Sequence, residues 1–201
     1  MRFPPILITL LALINFTLLS AQPGEAVRYK TMGLDMELLS YGGSLGGFYS
    51  YHTSKALSLD VEIDWSLVEA NDTFAYTNYW GQPIQINNRN LSFLKIIPGV
   101  SYFPFLETMH PTVQVGGFAA AGPVWSLNTD DDDGFAERWK EVDVKVTPMF
   151  RAGVHFRIMS GQGAAYNFRL GYDYARFDEV IDSRQTYQGL FFQAGMEFIH
   201  R

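Results

Sequence analysis

The sequence predicts an all-β chain folded as a transmembrane antiparallel up-and-down β-barrel of eight strands. Three observations predict it. Apolar and polar residues alternate with period two along most of the chain, which is the side-chain period of a strand. One apolar segment stands at the N-terminus with the features of an export signal, and no later stretch approaches a transmembrane helix. The composition suits strands: 15% of the 201 residues are aromatic, 18% are charged, 18 are Gly, and none is Cys.

The export segment comes first. Arg2 supplies a minimal positive charge, residues 6–19 are apolar, and Ser20-Ala21 are small. That order is the layout of a signal peptide. The apolar run falls short of the ~20 residues of a spanning helix, and the turn formers Gln22-Pro23-Gly24 follow at once. The expected organisation is a signal peptide over 1–21, cleaved after Ala21 or after Ser20, and one barrel domain over 22–201. An uncleaved N-terminal anchor is the alternative.

The alternation is clearest at the C-terminus. Leu190, Phe192, Ala194, Met196 and Phe198 share one face, and Phe191, Gln193, Gly195 and Glu197 the other. Tyr166, Phe168, Leu170, Tyr172 and Tyr174 alternate with Asn167, Arg169, Gly171 and Asp173. Val144, Val146, Phe150, Val154 and Phe156 alternate with Lys145, Arg151, His155 and Arg157. Leu57, Leu59, Val61, Ile63, Trp65 and Leu67 alternate with Asp60, Glu62 and Asp64. Two weaker strands lie at about 91–105, which includes Lys95, and 112–127.

The remaining stretch, 32–53, holds one long strand or two. Parity decides. Single-chain barrels of this type have an even strand number, with short turns at one end and longer loops at the other. The connections 53–56, 106–111 and 159–163 are short; 69–90, 128–141 and 178–186 are longer. Two strands must therefore precede the first short turn. Strand one covers about 32–41, with Met32, Leu34, Met36 and Leu38 opposite Asp35 and Glu37; strand two covers about 45–52. Gly42-Gly43-Ser44 is the natural site of the tight turn between them.

Alternation alone does not say which face points outward. A soluble barrel buries its apolar face, and a membrane barrel inverts this. Inversion is favoured by the export signal. Gly99, Gly116, Gly153, Gly171 and Gly195 fall on the polar face, where a narrow lumen is crowded, while the bulky Phe and Tyr groups fall on the apolar one. Trp65, Trp125, Tyr41, Tyr49, Tyr102, Tyr174 and Phe198 lie towards strand ends, as aromatic girdles do.

On these residues the chain resembles the small outer-membrane β-barrel proteins of the OmpX/OmpA-like type. The last strand ends on aromatic Phe198 with Gln193 and Gly195 inside it. It is similar to the C-terminal signal that the barrel assembly machinery recognises, except that Ile199-His200-Arg201 follow. The resemblance implies residence in the outer membrane of a Gram-negative-type envelope, with outer-membrane lipid and lipopolysaccharide as surroundings, and most simply a monomer. Members of this family differ widely in function.

The candidate functional residues are the charges on the polar face. Asp35, Glu37, Asp60, Glu62 and Asp64 lie on early strands, Lys95, Lys145, Arg151, Arg157 and Arg169 on later ones, and Asp173 and Glu197 near closure. Isolated charges in a narrow interior are costly, so they are expected to pair. Eight strands leave an interior barely wide enough for its side chains. The expected function is a non-enzymatic barrel with a largely closed, salt-bridged lumen and outer loops available for contacts. The aromatic-rich loop with Thr73, Phe74, Tyr76, Tyr79 and Trp80 is one candidate for such contacts. A narrow porin-like channel for small solutes is the alternative, and a lipid-modifying enzyme a more distant one.

Other chemistries lack their residues. The net charge of −6 provides no basic stripe for nucleic acid. No cofactor is expected, since phosphate-loop and dinucleotide motifs are absent. The acidic run Asp130 to Asp133 before Gly134 misses the calcium-loop spacing, because Lys140 stands where a Glu is required. It reads as a solvated loop. Four scattered His give no metal-ligand spacing. His52-Thr53-Ser54 has no third group to orient a nucleophile. No catalytic residue is expected.

Overall fold

The computed structural model describes residues 28–68, 74–77, 83–86, 89–105, 110, 112–130, 142–160, 163–181 and 184–200. The export segment, most of the acidic run and much of the aromatic-rich loop lie outside the described residues. The elements are β1 (Tyr29–Leu39), β2 (Gly42–His52), β3 (Leu57–Val68), β4 (Phe74–Thr77), β5 (Pro83–Ile86), β6 (Arg89–Tyr102), β7 (Val113–Asp130), β8 (Asp143–Ser160), β9 (Ala164–Ile181) and β10 (Arg184–His200). Eight of them form a closed barrel in the order β1-β10-β9-β8-β7-β6-β3-β2, with every neighbouring pair antiparallel. The first and last strands close it, from Lys30↔His200 to Leu39↔Phe191. The short hairpin β4–β5 lies in the longest connection, an element that the sequence pattern does not announce.

The barrel is inside out relative to a soluble protein. Large apolar groups stand exposed on the outer wall, among them Leu34 at 73% and Leu45 at 68%. Charged groups fill the interior, with Lys95 and Asp173 at 0%. The period-two pattern produces this directly, because a strand presents alternate residues to opposite sides.

The start of β1, the ends of β2, β6, β8 and β10 and the starts of β3, β7 and β9 lie at one end. The opposite end is uneven. β7 and β8 have 18 residues and β1 has 11. A spanning strand needs only ~9–11 residues, so the long strands rise well above the apolar band on one side. Two connections differ from expectation as a result. The first turn falls at Ser40-Tyr41, and Gly42 already pairs with Leu39. Gly42 is needed in the strand instead, because a Cβ there would lie 2.0 Å from the Leu67 carbonyl oxygen. At 178–186 no long loop exists: β9 and β10 continue until Ile181 pairs with Arg184.

Prolines mark the weak points of the wall, since proline has no N–H to donate. The β6–β7 ladder is interrupted between Lys95↔Val124 and Gly99↔Ala120, the interval that holds Pro98 and Pro123. Pro148 stands one step beyond the last β8–β9 pair, Met149↔Ala175. There the Thr147 hydroxyl donates to the Arg176 carbonyl, taking the place of a backbone donor.

Candidate functional site

The interior is a stack of three levels. Nearest the termini, Arg157 pairs with Glu197. The guanidinium also donates to the Tyr29 hydroxyl at 2.7 Å and to Gln114 at 3.3 Å. Thr31 donates to Glu197 at 3.1 Å and lies 3.3 Å from His52, whose ring stacks on Tyr29 at 4.1 Å.

The middle level holds most of the charge. Arg169 pairs with Asp60 at 2.9 Å and also with Glu62. Arg151 pairs with Glu37, with Glu62 at 3.3 Å and with Asp64 at 3.8 Å. Lys95 donates to Glu37 at 2.6 Å and lies 3.6 Å from Asp64. The Ser44 hydroxyl donates to Glu37 and that of Ser101 to Asp60. Register explains part of this, since Asp64 faces Lys95 and Arg151 faces Asp173 across adjacent strands. The remaining pairs cross the lumen, joining β1 to β6 and β8, and β3 to β8 and β9. Gly46 makes room for Asp64: a Cβ there would sit 1.9 Å from Oδ1 of the carboxylate. Each arginine also lies over an aromatic ring, Arg151 over Phe191 at 4.0 Å and Arg169 over Phe118 at 5.1 Å. Such stacking favours guanidinium in a dry site.

The upper level is apolar. Tyr41, Phe93, Phe177 and Tyr187 pack together with ring centroids 4.9 to 6.3 Å apart, edge to face except for the tilted Phe93–Phe177 pair. Leu39, Val68, Leu91 and Ile181 complete the cluster. This cluster sits at the end of the barrel opposite the start of β1. Its position near a strand end predicts an outer-girdle role for Tyr41; the structure turns it inward at 3% exposure. A turn residue has no strand parity to predict its side.

Lys145 also departs from expectation. It keeps the inward parity but lies above the closed part of the barrel. It pairs there with Glu179 at 2.5 Å and Asp143 at 3.5 Å. The Lys145 hydrogen bond holds the Glu179 carboxyl below its usual range. The long strands carry this group beyond the lumen. The other eleven interior charges named from sequence all lie inside, each under 9% exposed.

Of the proposed assembly signal, Gln193 points inward at 4% exposure and Phe198 outward at 51%. Gly195 faces Asp35, where a Cβ would sit 2.9 Å from the Asp35 Cβ. The strand continues through His200.

His155 is held between Ser101 and Asn167, each at 3.1 Å. Ser54 accepts the backbone N–H groups of Ala56 and Leu57, so it serves the turn. Among the described residues, no group of three or more His, Asp and Glu is set to hold a metal ion.

One cavity remains between the lower and middle levels, lined by Asp35, Ser50, His52, Asn167, Gln193 and neighbouring groups. It admits about one water-sized sphere.

No protein-family model matches this chain, and no curated protein matches it in sequence. Solved structures do match in fold. Neisserial surface protein A superposes with a TM-score of 0.54 at 12% identity, over 85% of this chain and 96% of that one. A major outer membrane protein from Thermus thermophilus superposes with a TM-score of 0.50 at 11% identity, over 85% and 99%. At these identities the likeness is one of fold.

Proposed function

We propose that this chain is a non-enzymatic outer-membrane barrel with a closed lumen, which presents its tall strands and outer loops to the surroundings. The observation that carries the reading is the inside-out arrangement. A wall of exposed Leu, Met, Val and Phe encloses buried charge, and such a surface is stable against lipid rather than water. The aromatic plug and the charge network together leave no continuous path for solutes. The fold neighbour from Thermus thermophilus is a major outer membrane protein, which agrees with this residence. Export by the N-terminal signal, recognition of the last strand by the assembly machinery, and contact with lipopolysaccharide belong to the same reading.

Two measurements test it. The folded protein, extracted from the membrane fraction, should migrate differently on gels before and after boiling. Reconstituted in planar bilayers, it should give little steady conductance. Reproducible, solute-selective conductance would overturn the closed lumen and make the chain a narrow channel.

A further inference from the structure

The interior is short of positive charge. Seven carboxyl groups are buried there against four ammonium and guanidinium groups. Protonating both buried imidazoles, His52 and His155, would still leave the described interior negative. A buried charge without compensation is costly, so the shortfall must be met.

One unit of that shortfall has a definite place. Asp60 and Glu62 are paired through Arg169, Glu37 and Asp64 through Lys95 and Arg151, and Glu197 through Arg157. Asp173 accepts the Tyr41 hydroxyl at 2.7 Å. Asp35 is left. It is 7% exposed, and neither carboxylate oxygen has a hydrogen-bond partner. The Gln193 amide interacts with it only outside hydrogen-bond geometry. Among the described residues no cation lies within ion-pair distance of it. Its side chain lines the cavity described above, together with Ser50, Asn167 and Gln193.

We propose that this cavity is a binding site for one small monovalent cation, held against Asp35. Room for one water-sized sphere suits a proton carried by water or a bare alkali ion. A divalent ion would need several more ligands or its own water shell, and no three acidic or imidazole groups among the described residues are set to hold one metal ion. The charge around Asp35 is defined on every side. Glu37 shares its strand. Across the interior stand Glu62 and Asp64 on β3, Lys95 on β6, Arg151 on β8, and Arg169 and Asp173 on β9. At this level β2, β7 and β10 contribute uncharged groups. The charged and titratable groups that line the cavity with Asp35 are His52, Asp60, His155, Arg157, Arg169 and Glu197.

The site presupposes the closed lumen, but its test reads stability rather than conductance, so the two can fail separately. The full chain is refolded into vesicles and unfolded in urea, with gel migration as the readout. One arm lowers pH from 8.5 to 6 in choline chloride; the other replaces choline by sodium at pH 8.5 and constant ionic strength. The wild-type midpoint should rise by about 0.5 M urea in the arm that supplies the cation. That arm identifies proton or alkali ion as the source. Asp35→Asn should remove most of that rise. In choline at pH 8.5 it should be at least as stable as wild type. Gln193→Lys, which places a permanent cation in the same cavity, should flatten the response independently. Asp143→Asn, on the exposed rim, should retain it. A flat wild-type response in both arms, or a full response in Asp35→Asn, overturns the proposal.

Discussion

The Tyr41 hydroxyl donates to Asp173 at 2.7 Å, tying the β1–β2 turn to a carboxylate on β9 across the mouth of the barrel. The same ring packs against Phe93 and Tyr187. One side chain thus joins the aromatic plug to the charge network. Tyr41→Phe keeps the ring and removes the donor. The loss of one hydrogen bond to a buried charge should cost about 1.5–3 kcal/mol, read as a lower urea midpoint. Bilayer conductance should stay at the wild-type level, because the plug itself remains.

The charge network predicts an asymmetry. Glu62 and Arg151 are direct partners at 3.3 Å, but the interior has an excess of acid. Arg151→Gln takes one partner from each of Glu37, Glu62 and Asp64 and deepens that excess, and should cost about 3–5 kcal/mol. Glu62→Gln removes one surplus negative charge while Arg151 keeps Glu37, so its cost should be clearly smaller. Urea unfolding of the two variants in vesicles measures the difference. Equal costs would mean that net charge does not govern the interior.

Adjacent residues on β10 should behave oppositely. Phe192 is 44% exposed on the outer wall and Gln193 is 4% exposed inside. Phe192→Arg places a charge against lipid, at a cost of about 2–4 kcal/mol near the midplane. Gln193→Arg adds a cation beside Asp35. Folding yield into lipid vesicles should fall for the first and hold for the second.

Thr147 and Pro148 should be coupled. The Thr147 hydroxyl serves the Arg176 carbonyl where Pro148 has no N–H to offer. Thr147→Val should cost about 1–3 kcal/mol by leaving that carbonyl unpaired. Adding Pro148→Ala should recover much of the loss by restoring a backbone donor. A double-mutant cycle on unfolding free energy reads the coupling; strict additivity would refute it.

Processing is tested by mass. The run at 6–19 followed by Ser20-Ala21 should yield a membrane-purified chain beginning at Gln22, or at Ala21. Intact-mass measurement decides, and a chain that keeps Met1 to Leu19 rules out cleavage.

The identity and number of the barrel strands, and the face of most of their residues, were legible in the sequence by itself, whereas the β4–β5 hairpin was not. Alternation is a local, covalent property: once residues 57–68 are extended, Asp60, Glu62 and Asp64 must share a side. The exceptions occur where the chain leaves the strand or outruns the lumen. Tyr41 sits in a turn, so its inward direction depends on which strands surround the mouth. Lys145 has the right parity, but the height of β8 lifts it out of the interior. Tertiary structure alone decided which charges meet. Glu37 reaches Lys95 and Arg151, while Asp35, two residues earlier on the same face, reaches neither. Both look alike in sequence. They differ because closing the barrel sets how far each strand is staggered against those across the lumen, and a shift of one strand step separates a paired carboxylate from an unpaired one.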